Sequence, residues 1–295
     1  MSEHDSILIN TSKRIIKIEN ALSSFLLTGT DKIRNGYGNG DCVLIDFNNR
    51  LFAVSDATER HPSASRQILG RLRKHLSEND VIPDNINEWQ NIINSLFSLQ
   101  EYHFKATFSC VAFNRSEEGL YAYIMHGGDS QIMVIDCIDR EIRYSTKPDM
   151  NFAGRSTELN DVTSIRINSQ RDRILLATDG FNDVMNLIRT GENGTIPDIL
   201  LSSDVHDIAE SIYNIMTETD RRNRSMHEYD DIAVIVIDPG TLYNGHTRSI
   251  LMGGTMPNDE VLFNATISSR SNSTWISDTD WQLYESMFNN LGITV

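Results

Sequence analysis

Cysteine is scarce in this chain, and its spacing removes two chemistries. Cys42, Cys110 and Cys137 are the three present among 295 residues, and no two of them form a CxxC pair. Zinc ribbons and dithiol redox centres both need such pairs, so buried free thiols are expected. Basic charge is also short: 26 Lys and Arg stand against 41 Asp and Glu, a net charge of −15. A nucleic-acid or anionic-membrane partner requires a basic stripe, so neither is expected. No apolar run approaches the length of a membrane span. Met1-Ser2-Glu3-His4-Asp5 has neither the basic flank nor the apolar stretch of a signal peptide, which points to the cytoplasm. The glycine-rich loop Asn35-Gly36-Tyr37-Gly38-Asn39-Gly40 is followed by no Gly-Lys-Ser/Thr, which excludes a Walker-type phosphate loop.

What the chain does have is acid at the ends of strongly apolar strands. Ile174 to Ala177 is a short buried run that stops at Asp179-Gly180 and passes into a helix. Asp183 lies four residues after Asp179, on the same side of the first helical turn. Cys42 to Phe47 and Leu51 to Val54 form a hairpin around a tight Asn48-Asn49 turn, which brings Asp41 and Asp56 to one end. Asp129 sits in the turn between the strands Leu120–His126 and Gln131–Cys137, and Asp230 precedes the core strand Ile232–Ile237. Taken singly, each is a cap or a turn former. Together they fit a hard-cation site built from oxygen ligands, and the absence of histidine favours magnesium or manganese over zinc.

The remaining pattern predicts the scaffold. Ile15–Ile18 and Ser24–Leu27 read as an early strand pair, and Thr107–Phe113, Thr163–Ile167 and Arg173–Ala177 as further strands. Helices are expected at Pro62–Glu78, Asn87–Tyr102 and Val205–Thr219. On the first of these, Arg66, Arg71, Arg73 and Lys74 read as the wet face. Residues 145–162 read as an irregular surface flap. Residues 1–239 are expected to form one domain, with 240–295 an extension packed on it. That extension would carry an edge strand at Asp259–Ile267 and a helix at Asp278–Leu291.

Five ordered blocks carry a family resemblance: Gly40-Asp41, Ser55-Asp56-Ala57, Gly128-Asp129-Ser130, Thr178-Asp179-Gly180-Phe181-Asn182-Asp183-Val184, and Asp230-Asp231-Ile232-Ala233-Val234-Ile235-Val236. Over roughly residues 30 to 238 the chain resembles the metal-dependent PP2C-type (PPM) serine/threonine phosphatases. The resemblance implies an α+β fold: a β-sandwich of two antiparallel sheets with helices on both outer faces. It implies Mn2+ or Mg2+, two ions in the core site, with Asp56 bridging them and the Ala57 carbonyl completing one shell. Asp179 and Asp230 would hold one ion, and Asp129, Asp179 and Asp183 would be placed for a third. Asp41 would orient the attacking water, so Asp41, Asp56 and Asp179 form the implied catalytic set. The family's phosphate-binding arginine has no clean equivalent here; Arg34 stands two residues away from its place.

The implied activity is hydrolysis of phosphoserine and phosphothreonine in a phosphoprotein by a metal-activated water. Two cations about 4 Å apart would reverse the local charge and acidify that water. The chain departs from the family at Asp56-Ala57-Thr58-Glu59-Arg60, where Asp-Gly-x-Gly-Gly is usual. Ala57 would be strained in a glycine-like conformation, and Thr58 stands where many members have histidine. These departures motivate an alternative: a catalytically impaired pseudophosphatase serving as a regulatory binding module. A metal-dependent nuclease is disfavoured by the acidic charge.

Overall fold

A computed structural model describes residues 6–9, 13–18, 20–29, 32, 37–79, 82–97, 105–156, 159, 161–188, 196–222, 229–245 and 249–255. Among the described residues thirteen strands form two sheets. The first runs β1 (Ser6–Ile9), β13 (Ser249–Thr255), β4 (Asn39–Asp46), β5 (Leu51–Asp56), β6 (Phe108–Ser116), β7 (Gly119–Gly127) and β10 (Asp161–Ile167). The second runs β2 (Lys13–Ile18), β3 (Leu22–Leu27), β12 (Ile232–Ile237), β11 (Asp172–Ala177), β8 (Gln131–Asp136) and β9 (Glu141–Ser145). Neighbouring strands are antiparallel except β1 and β13, which pair in parallel.

Alternation along the strands builds three apolar layers. Val43, Ile45, Phe52 and Val54 face Ile174, Leu176, Ala233 and Ile235 between the sheets. Cys42, Leu44, Leu51 and Ala53 point outward from the first sheet. They meet helices α1 (Ser63–Asn79) and α2 (Ile86–Phe97) through Ile68, Leu72, Trp89 and Phe97. On the far side of the second sheet lie α3 (Gly180–Ile188), α4 (Ile196–Ser202) and α5 (Val205–Arg222), whose Ile208 and Ile212 cover Val234 and Val236. β12 is buried on both faces, which is why its sequence is an unbroken apolar run. The four layers are helix, sheet, sheet and helix, as the resemblance implies.

Some expectations change. Arg66 is not on a wet face: it is fully buried, because β13 crosses over α1 and the backbone of Gly254 sits against Arg66. The β4–β5 turn spans Phe47 to Arg50 rather than two residues. Asp46 accepts the Asn48 and Asn49 amides there, and Arg50 takes φ 51° to close it. Ala57 carries no strain, since positive φ is found among described non-glycine residues only at Asn20, Arg50 and Arg140. The flap at 145–162 is irregular but tethered, Ala153 pairing with Ala106 through both backbone hydrogen bonds. Ser249–Thr255, beyond residue 239, is an inner strand of the first sheet. Asp259–Ile267 and Asp278–Leu291 lie outside the described residues, as does Arg34.

Candidate metal centre

The register of the β4–β5 hairpin sets Asp41 directly opposite Asp56, at the rim where the two sheets open. Two like charges at opposed positions repel, so the neighbourhood must restrain them. Asp41 is held from the other sheet: the Thr178 hydroxyl, at the end of β11, donates to its Oδ2 at 2.5 Å. The same hydroxyl accepts the Ala233 amide at 2.8 Å, so one side chain fastens β11, β12 and Asp41 together. Asp41 is fully buried, and its Oδ1 has no hydrogen-bond partner.

Asp56 is fixed through its backbone. Its amide donates to the Thr107 hydroxyl at 2.8 Å, its carbonyl accepts the Thr107 amide at 2.8 Å, and that hydroxyl lies 2.6 Å from Ser130 Oγ. Thr107 thereby ties the end of β5 to the turn that carries Asp129. That turn depends on Gly128, which has φ 102°; a Cβ there would fall 2.8 Å from Thr107 Cγ2. Asp179 caps the entry to α3, its carbonyl accepting the Asn182 amide at 2.8 Å. As a result, carboxylate oxygens of Asp56, Asp129 and Asp179 lie within 4.8 Å of one another.

Around this triad the acid continues. The charges of Asp230 and Asp231 act on Asp56, and those of Asp230 and Asp183 on Asp179. Asp183, in the first turn of α3, is exposed, and Asp230 is half exposed. Asp231 is buried and accepts the Gly29 and Gly40 amides, each at 2.7 Å. Burial, reinforced by neighbouring carboxylates, pushes Asp41 and Asp56 well above the usual carboxylate range. Burial, then the charge of Asp129, lifts Asp179 to about 6, and burial lifts Asp231 to about 7. The structure therefore brings together Asp41, Asp56, Asp129 and Asp179, with Asp183 and Asp230 at the edge.

Three contributors were not picked out from the sequence. Asp231 followed Asp230 in the same block, and its doublet was the available signal. Thr178 preceded Asp179 without any mark of its own. Lys32 gave no signal at all: it is 5% exposed, with its ammonium 2.6 Å from Glu59 and 3.1 Å from Asp230. The buried Lys32 thus links the altered Thr58-Glu59-Arg60 segment to the carboxylates through two half-exposed acids.

The donor set fits a hard divalent cation. It consists of oxygens alone, and clustered carboxylates held above their usual pKa are relieved by a cation. The orphaned Asp41 Oδ1 needs a partner. Space is also kept at Gly40, where an added Cβ would come 2.4 Å from the Ala57 carbonyl oxygen and 3.5 Å from Asp56 Oδ1.

No family model and no curated protein sequence matches the chain. Solved structures do. A bacterial serine phosphatase superposes with a TM-score of 0.54 at 17% identity, over 73% of this chain and 96% of that one. The catalytic domain of the serine/threonine protein phosphatase PstP, in complex with two manganese ions, gives 0.50 at 19% identity over 74% and 98%. The PPM Ser/Thr phosphatase MsPP from Mycobacterium smegmatis, in complex with cacodylate, gives 0.50 at 17% identity over 74% and 97%. The chain has the PP2C-type fold. In this PP2C-type sandwich the carboxylates occupy the open rim between the sheets, where β5, β11 and the β7–β8 turn end together.

Proposed function

We propose that the chain is a metal-dependent protein serine/threonine phosphatase. The observation that carries this is the meeting of Asp56, Asp129 and Asp179 at the rim of a PP2C-type fold. Asp56, the Ala57 carbonyl, Asp179 and Asp230 would hold two divalent cations, Mn2+ or Mg2+, with Asp129, Asp179 and Asp183 placed for a third. When bound, the cations supply the positive charge that admits a phosphate dianion and the acidification that readies water for attack.

The chain's own residues do the rest. Asp41, braced by Thr178, keeps an Oδ1 without a hydrogen-bond partner, which can hold a water and accept its proton. Its raised affinity for a proton, caused first by burial, suits it to that role. Lys32 holds Asp230 and Glu59 together, and Arg34 would bind the incoming phosphate. No cysteine or serine nucleophile is required, so no phosphoenzyme forms.

The test is hydrolysis of an aryl phosphate and of phosphoseryl peptides with Mn2+ by wild type, Asp56→Asn and Asp179→Asn. Each substitution should lower kcat/KM about 100-fold or more, and chelator should silence the wild type. Full activity in either variant overturns the proposal. One observation favours the pseudophosphatase instead: Glu59, in the segment that departs from the family, is occupied with Lys32. Tight calorimetric Mn2+ binding with no turnover on any phosphopeptide would select that reading.

A further inference from the structure

At the opposite end of the sandwich the acidic surface gives way to arginine. A cavity of about 690 Å3 opens there, lined by Arg115, Arg143, Arg166 and Arg171 together with Asn168 and one carboxylate, Asp136, which is paired with Arg171. We propose that this cleft is a second anion site, taking the dianion of a phosphomonoester.

Its position follows from register. β6 and β7 pair from Phe108 with Gly127, at the carboxylate rim, to Ser116 with Gly119, at the cleft. Eight steps of about 3.3 Å put the two ends roughly 26 Å apart. β10 runs alongside from Asp161 to Ile167, and β11 begins at Asp172, so both deliver residues to the cleft at the ends remote from Asp56 and Asp179.

The four guanidinium groups are not equivalent. Arg143 pairs with the buried Asp172 and also donates to the Arg166 carbonyl at 3.4 Å. Arg171 pairs with Asp136 at 2.8 Å and with Asp139. Arg115 stacks on the Tyr243 ring, 4.4 Å from its centroid. Arg166 is exposed, and among the described residues its guanidinium meets no carboxylate. It lies over the β6–β7 turn, where Gly119 leaves room for it; a Cβ there would sit 3.3 Å from Arg166 Nε. The ion pairs hold Arg143 and Arg171 rigidly at the walls, and Arg166 is left with its donors directed at no acid. Glu117 and Glu118, on the same turn, do not line the cavity.

Guanidinium groups recognise phosphate through paired N–H donors, and preordered ones lose little freedom in doing so. Asn168 and Ser169 add neutral polar groups. Leu120 and Ile167 give the cleft an apolar part, and its volume exceeds the needs of bare phosphate. The shared chemistry is thus a phosphate carried on an organic group.

Metal-free full-length protein isolates this site, because uncompensated carboxylates at the other rim repel phosphate. Calorimetric titration should show saturable binding of inorganic phosphate, weakened by added salt. Arg166→Glu should weaken it about tenfold or more, and Arg166→Gln less, with melting temperatures unchanged at this exposed position. A phosphoseryl peptide bound more tightly than AMP would identify phosphoprotein as the source of the ligand, and the reverse order a nucleotide. No saturable phosphate binding, or equal binding by wild type and Arg166→Glu, overturns the proposal. Neither result bears on turnover at the carboxylates, so the two sites stand or fall separately.

Discussion

Asp179 and Asp231 make the metal-free protein sensitive to pH in an unusual direction. Their folded pKa values, about 6 and about 7, lie above the unfolded carboxylate value of about 4. Native protein therefore binds protons more tightly than unfolded protein, and stability is greatest below that window and falls as pH rises through it. Without metal, the melting temperature should drop between about pH 5 and about pH 7.5, and saturating Mn2+ should offset the drop by favouring the ionised acids. A metal-free melting temperature that climbs over the same interval contradicts the assignment. Thr178 gives a second test. Thr178→Val removes the donor to Asp41 and the acceptor for the Ala233 amide, and should cost about 1–3 kcal/mol in urea unfolding. An unchanged midpoint would mean that neither bond matters. The acids Asp41, Asp56, Asp129 and Asp179 are legible in the sequence, because each lies at or near one end of an apolar run. Lys32 and Thr178 are not, since their roles come from contacts with residues far along the chain.

Among elements, the β7–β8 turn is the most exposed to a single change. Gly128→Ala places a methyl against Thr107 in a backbone conformation that alanine resists, and should destabilise by about 2–3 kcal/mol. It should also weaken Mn2+ binding, because Asp129 rides on that turn. Wild-type stability and affinity together would show that the turn adapts. Local periodicity revealed the helices and the long strands: Pro62–Glu78 was expected and Ser63–Asn79 found, and Ile232–Ile237 was found as expected. It missed β9, whose exposed Glu141-Ile142-Arg143 has no apolar side to betray it. It misplaced Arg66 because a helix's own sequence does not say that a strand from beyond residue 248 lies across it.

The described residues form a sandwich whose two sheets both contribute to the carboxylate rim: Asp41 and Asp56 from one, Asp179 and Asp230 beside the other, with Asp129 on the turn between β7 and β8. The site is therefore only as sound as the packing between layers. β13 lies between β1 and β4 and is buried throughout. A chain ending before Ser249 should fail to fold cooperatively, whereas one ending after Thr255 keeps the strand and serves as the control. A cooperative melt from the shorter chain would remove β13 from the account. The layer order was legible from the resemblance, but β13 was not, because the family domain was expected to end before it.

The proposed metal centre requires acids from both sheets to share small hard cations. Anomalous scattering from a Mn2+-soaked crystal tests it most directly. Two manganese peaks in contact with Asp56 are expected, one of them also touching Asp179. Crystals soaked to saturation that show no peak at Asp56, or manganese bound at some other place alone, would contradict it.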